Sequence, residues 1–168
     1  MQHLVYLHGF LSSPQSVKAQ QTRKYLDKTL PGLSVYMPVL SGDVNKTLTT
    51  LDSLLRTLPK GKVGFIGSSM GGYLSTYCVE KYGGKAVLVN PAVEPFNLFS
   101  DYLGMHLNPN TGERFCINAQ HIECLKKIYA PLLKQPQNYL VMLQTGDETL
   151  DYRLALSRYR GANVVLES

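Results

Sequence analysis

The chain has 168 residues, 44% of them hydrophobic and 17% charged, which suits one soluble domain burying roughly 70% of its extended-chain surface and excludes a disordered segment. Its net charge is +5, but the 17 Lys and Arg residues are spread along the chain; with no basic block and no aromatic-interleaved basic strand, nucleic acid is not an expected partner, although the overall field favours anionic small molecules mildly. No apolar run approaches the ~18 residues that span a bilayer, and three cysteines without a Cys-x-x-Cys pair argue against a disulfide framework or a zinc site.

The N-terminus, MQHLVYLHGF, lacks a cationic flank and a small-residue cleavage site. It reads as a strand over Leu4 to Leu7 and not as a signal peptide, so a cytoplasmic protein is expected. Ser13-Pro14 offers an N-cap and a first-turn proline for a helix from about Pro14 to Thr29. Pro31-Gly32 stops it, and Leu33 to Met37 is a second strand closed by Pro38. Val44, Leu48, Leu51, Leu54, Leu55 and Leu58 recur at three- and four-residue spacings, which places them on one face of a second helix. Gly61 ends that helix. A third strand over Lys62 to Ile66, a glycine-serine turn and a third helix through Cys78 to Lys81 follow. Gly83-Gly84 precedes a fourth strand, Ala86 to Val89. Tyr139 to Leu143 is a fifth, Leu150 to about Tyr159 a helix, and Asn163 to Leu166 the last strand.

Strands alternating with helices predict a mainly parallel sheet of about six strands covered by helices on both faces. The segment from Pro91 to Gln137 breaks the rhythm. It carries five prolines and five aromatic residues, and one helix is expected in it, over Gln120 to Ile128. So long an excursion reads as a cap over the strand ends and not as a separate domain.

The stretch KVGFIGSSMGGY, residues 62 to 73, carries the chemistry. Gly67-Ser68-Ser69-Met70-Gly71 fits G-x-S-x-G with Ser69 central. An apolar strand runs in and a helix pattern runs out, which is the setting of a nucleophile elbow. A sharp strand-to-helix bend brings backbone close and leaves no room for side chains at Gly67 and Gly71. The helix N-terminus behind Ser69 offers unpaired N–H groups, so that of Met70 is a candidate oxyanion donor. The competing reading is a serine that merely caps a helix. A phosphate-binding loop is disfavoured because neither glycine-rich phosphate motif is present.

Leu7-His8-Gly9-Phe10 follows the first strand. If the first and third strands are neighbours, this loop lies beside Ser69 at a switch point of the sheet. The N–H of Phe10 is then the second oxyanion candidate, with Gly9 permitting close approach. His8 is expected to orient the loop by hydrogen bonding, its alternative role being that of a base.

The motifs LHGF and GSSMGGY, with VNPAVEPF at 89 to 96, DYLG at 101 to 104, NPNTGERF at 108 to 115 and QTGDETLDYR at 144 to 153, resemble the α/β-hydrolases. More narrowly, they resemble the small bacterial YqiA-type esterases. The resemblance implies an α/β-hydrolase fold with a cap insertion after the fourth strand. It also implies Ser69 as nucleophile, Phe10 and Met70 as oxyanion donors, Asp147 as triad acid, and carboxylester hydrolysis. Asp147 also has a local argument: Thr145-Gly146 is a turn that presents it at the carboxyl edge of the fifth strand, and the fold's chain order is Ser, Asp, His. Glu148 and Asp151 are its rivals.

The base is the gap. The family carries its histidine after the last strand, whereas no histidine follows His121 here. Three readings compete: a natural chain that continues past Ser168, a form that has lost activity, or substitution by His8, His106 or His121. The expected function is cleavage of a small-molecule ester of small or medium acyl length, with no metal or organic cofactor and no membrane insertion. Thioester or C–C bond cleavage, or non-catalytic binding in an inherited pocket, are the alternatives.

Overall fold

The computed structural model describes residues 2–168. Six strands form one parallel sheet: β1 (His3–Leu7), β2 (Ser34–Tyr36), β3 (Val63–Ser69), β4 (Lys85–Pro91), β7 (Tyr139–Gln144) and β8 (Asn163–Glu167), in the spatial order β2-β1-β3-β4-β7-β8. A second, antiparallel sheet pairs β5 (Gly104–Leu107) with β6 (Arg114–Ile117). The helices are α1 (Val17–Thr29), α2 (Val44–Arg56), α3 (Met70–Tyr82), α4 (Pro95–Phe99), α5 (Ala119–Ile128) and α6 (Tyr152–Arg158).

The chain steps outward from β1 to β2 and then returns to place β3 on the other side of β1. That reversal creates a crevice beyond the carboxyl ends of β1 and β3. Register pairs Leu7 with Gly67, so the loop after β1 and the turn after β3 leave the sheet side by side.

The main core lies on one face. Val5, Leu7, Phe65, Leu88, Val141 and Leu143 are buried there with Leu51, Leu55 and Leu74. Tyr6, Ala19 and Leu26 are buried outside that cluster, as expected for residues of β1 and α1 on the opposite face, since neighbouring strand residues point to opposite sides. Burial on both faces does not extend across the sheet. In β7 buried and exposed residues alternate, with Leu140 and Met142 each 36% exposed, and every residue of β8 is exposed.

The periodic leucines of α2 form a helix capped by Asp43, whose carboxylate accepts from the N–H groups of Asn45 and Lys46. The expected start of α1 needs correction. Ser16, not Ser13, is the N-cap, accepting from the Ala19 N–H at 3.3 Å. Ser13 instead accepts from the Gln15 N–H in the preceding turn. Each of these serines closes a local turn on its own, and only the longer path chosen by the loop after β1 decides which one opens the helix.

Between β4 and β7 the expected helix is present as α5, capped by Asn118. The β5–β6 hairpin is a feature that strand patterning does not reveal in this segment. Its inner face carries His106 and Phe115, with the His106 ring stacked on Phe115 at 5.7 Å. Phe115 meets Phe10 edge-on at 5.9 Å, and Phe99 lies 5.0 Å from Phe10. The insertion therefore packs on the loop that follows β1. Tyr73 of α3 donates to the Leu125 carbonyl of α5 at 2.6 Å, which ties the insertion to the helix behind the serine turn. Among the described residues no helix is long and apolar enough to cross a membrane. The three cysteines are free thiols, Cys78 buried and Cys116 exposed.

Candidate active site

Ser69 is the last residue of β3 and the residue before α3. Its backbone stands at φ 52 and ψ −119, a region that non-glycine residues enter at a cost of about 1–3 kcal/mol and only where the surroundings hold them. Those surroundings are specific. The Ser69 carbonyl accepts from the Ala92 N–H at 3.0 Å. A Cβ on Gly67 would collide with the backbone of Gly71 and with the Ser75 hydroxyl. A Cβ on Gly71 would collide with the Leu7 carbonyl and reach 2.7 Å from that of His8. The two flanking glycines are thus required by contact with fixed backbone. The Ser69 side chain does not cap α3, so the capping alternative fails. Ser69 is half-buried, and its hydroxyl makes no hydrogen bond among the described residues.

The loop after β1 lies against this turn. A Cβ built on Gly9 would sit 3.6 Å from the Cβ of Ser69 and 3.6 Å from the Ser68 carbonyl. That is ordinary contact, so the close approach expected at Gly9 is present but leaves room for a methyl group. Leu11 takes φ 55, and the Ser12 N–H donates back to the Gly9 carbonyl at 3.2 Å. Phe10, between them, has no acceptor for its N–H among the described residues. Met70 opens α3, where no intrahelical carbonyl lies upstream of its N–H.

His8 is 3% exposed and both ring nitrogens are engaged. Nε2 accepts from the Leu40 N–H at 2.9 Å, so the proton sits on Nδ1, which donates to the Gly9 carbonyl at 2.8 Å. Burial lowers its pKa from the ordinary value, against a smaller opposing effect of the Gly9 bond. His8 therefore holds the loop as a neutral strut between β1 and the chain after β2. Because the folded pKa is depressed, its contribution to stability is complete above the unfolded value of ~6.5 and is lost as pH falls below it. We expect the difference in unfolding free energy between the native chain and His8→Ala to be about 1–3 kcal/mol at pH 8, from the orphaned Leu40 N–H. That difference shrinks by pH 5, as measured by denaturant titration at the two pH values; a difference independent of pH would contradict the neutral strut.

Asp147 follows β7 and is half-buried. Its Oδ1 accepts from the N–H groups of Thr149 and Leu150, both at 2.9 Å, while Oδ2 makes no hydrogen bond among the described residues. Of its rivals, Asp151 is the N-cap of α6 and Glu148 is exposed. One strand, β4, separates β7 from β3, so Asp147 and Ser69 leave the sheet roughly 10 Å apart at ordinary strand spacing.

Asn90 is a site residue that sequence reasoning missed. At φ 41 it precedes the last residue of β4, donates from Nδ2 to the Gln144 side chain at 3.1 Å, and accepts from the Gln144 N–H at 2.9 Å. It fixes the strand end from which the Asp147 loop departs. Its only signal was an Asn-Pro pair, which marks a turn without saying what the side chain reaches.

The other histidines are occupied. His121 accepts at Nδ1 from the Asn118 N–H and faces the Asp43 carboxylate at 3.4 Å through Nε2. His106 donates to the Tyr102 carbonyl. His3 pairs with the Tyr36 hydroxyl. None is hydrogen-bonded to Ser69 or Asp147, so the structure offers no support for a substitute base. Among the described residues no group of three or more His, Cys, Asp and Glu is arranged to hold a metal ion.

A cavity of about 30 Å³ opens beside the turn, lined by Phe10, Leu40, Val44, Met70, Leu74 and Leu125 among others. Residues 3–168 match an uncharacterised protein family, UPF0227. The chain belongs to that family. This UPF0227 chain also superposes on solved α/β-hydrolases. The mouse alpha/beta hydrolase domain-containing protein 10 aligns with a TM-score of 0.74 at 15% identity, over 99% of this chain and 80% of that one. Est1E from Butyrivibrio proteoclasticus, solved with ferulic acid bound, gives 0.70 at 14% identity over 99% and 79%. An esterase of Pyrococcus furiosus gives 0.62 at 14% identity over 99% and 72%. The UPF0227 chain thus has the α/β-hydrolase fold.

Proposed function

We propose that this chain is a serine hydrolase that cleaves carboxylic esters by acyl transfer. The observation that carries the reading is Ser69: a strained serine between a strand and a helix, its hydroxyl unengaged, with unpaired backbone donors at Met70 and Phe10. In this reading the Ser69 oxygen attacks the ester carbonyl and its proton passes to a histidine. The N–H groups of Met70 and Phe10 hold the oxyanion. The histidine returns the proton to the departing alcohol, and water then releases the acyl group by the same path. Asp147, with Oδ1 pinned by two amides and Oδ2 open, orients that histidine and balances its charge. His3, His8, His106 and His121 are engaged with other groups, and the family resemblance implies that the histidine of such a triad follows the last strand. The apolar cavity lined by Val44, Met70, Leu74 and Leu125 receives the acyl chain. Substrates are small-molecule esters; the same scaffold accommodates thioesters or cleavage of a C–C bond.

The deciding experiment is labelling of the native gene product with a fluorophosphonate, located by peptide mass spectrometry. Modification of Ser69 that disappears in Ser69→Ala supports the reading. Labelling that persists in that variant refutes it. Turnover of oxygen esters over thioesters and diketones then separates the reaction classes. Binding of a short-chain ester without labelling or turnover would favour a non-catalytic pocket, a role consistent with the engagement of all four histidines.

A further inference from the structure

The turn at the tip of the β5–β6 hairpin, Asn108 to Glu113, is the motif that the catalytic reading leaves unused. It makes its contacts far away in sequence. Asn108, 2% exposed, donates from Nδ2 to the Ser12 carbonyl at 3.0 Å. Asn110, exposed, donates from Nδ2 to the Leu11 carbonyl at 2.7 Å. Asn108 Oδ1 accepts from the Asn110 N–H at 2.8 Å, which orients the second amide through the first. Glu113 accepts from the Gly42 N–H at 3.0 Å and from the Ser41 hydroxyl, in the loop after β2.

Leu11 and Ser12 are the two residues after Phe10, and Leu11 is held at φ 55. A backbone in that region relaxes unless its neighbours hold it. The holding groups on its carbonyl side are the two asparagine amides. We propose that Asn110, together with Asn108, is a positioning residue for the oxyanion loop: the cap hairpin grips the Leu11 and Ser12 carbonyls and so keeps the Phe10 amide at the Ser69 turn. The role in catalysis rests on the esterase reading; the grip on the loop does not. The hairpin thus packs behind the loop, through Phe115 against Phe10, and is a strut for the donor that meets developing charge. Nothing in it touches the reacting atoms.

The test uses Asn110→Asp, which keeps size and removes the donor, and Asn110→Ala. The site is exposed, so the unfolding midpoint should stay within about 2 °C of the native value. Amide hydrogen exchange over residues 9–12 should rise about tenfold or more in both variants, while exchange over residues 70–78 stays unchanged. In the native gene product the rate of Ser69 phosphonylation should fall about tenfold, with the apparent affinity for the unreacted probe preserved, because an oxyanion donor acts on the transition state and not on the ground state. Unchanged exchange over residues 9–12 in both variants overturns the proposal. So does a rise accompanied by a midpoint drop of about 10 °C, which marks general loosening, and so does raised exchange with an unaltered phosphonylation rate. If native protein is never labelled at Ser69, the esterase reading fails, and the exchange measurement alone decides whether the turn holds the loop.

Discussion

Replacing Ser69 with alanine should lower ester hydrolysis by about 10⁶-fold wherever a histidine stands at the serine, and change it hardly at all in the 168-residue chain. The two halves of this expectation come from one property of catalytic triads. Their members act as a unit, so that losing the serine or the histidine alone costs about as much as losing all three, or ~8 kcal/mol of transition-state stabilisation. Here His8, His106 and His121 are bound to Leu40, Tyr102 and Asp43. A chain without the base is already at the floor set by oxyanion binding, about 10³- to 10⁴-fold above water. The measurement is kcat/KM for a short-chain activated ester, for the 168-residue chain and its Ser69→Ala variant and for the same pair in the native gene product. Robust turnover by the 168-residue chain that vanishes in His8→Ala would reverse the assignment of the base.

Gly71→Ala should destabilise the fold by about 3 kcal/mol or more, lowering the unfolding midpoint by about 10 °C. The added methyl meets the Leu7 carbonyl carbon at 2.6 Å and the His8 carbonyl oxygen at 2.7 Å. Both are backbone atoms, of the last residue of β1 and of the residue after it, and cannot rotate away as a side chain would. The strand or α3 must move, and either movement shifts the loop that carries Phe10, so activity should fall with stability. Gly146→Ala is the control. Nothing lies within 4 Å of the Cβ it adds, and its midpoint should match that of the native chain within about 2 °C. A Gly71→Ala protein with an unchanged midpoint would mean that the end of β1 and the start of α3 stand further apart, and the proposed oxyanion pairing of Phe10 with Met70 would fall with it.

Much of this site is readable before folding because its determinants are local. A short apolar run, a turn with glycines at two fixed offsets and a helix pattern are all contained in residues 62 to 73, and their steric logic reappears in the contacts of Gly67 and Gly71. Asp147 is legible for the same reason, as a carboxylate placed by a strand and the turn that ends it. The leucine spacing that makes α2, and the alternation of strands with helices that makes a parallel sheet, are also short-range periodicities. The start of α1 is misjudged where two serines, Ser13 and Ser16, carry the same local signal.

What the linear chain leaves open is long-range. Nothing near Asn110 announces that its amide reaches Leu11, and nothing near Asn90 announces Gln144, since each bond joins residues that are neighbours only after the sheet has assembled. The engagement of His8 with Leu40 has the same character. The β5–β6 hairpin is hidden because its four-residue strands are too short to show a period and draw their packing from Phe10 and from the loop after β2 at Gly42. Local periodicity and turn chemistry were therefore enough to single out Ser69 and Asp147 as candidates and to give the six strands of the parallel sheet in chain order. Which loops those elements hold, and which histidines are left with no acceptor or donor to spare, came only from the folded chain, because burial and hydrogen-bond pairing depend on distance in space and not along the sequence.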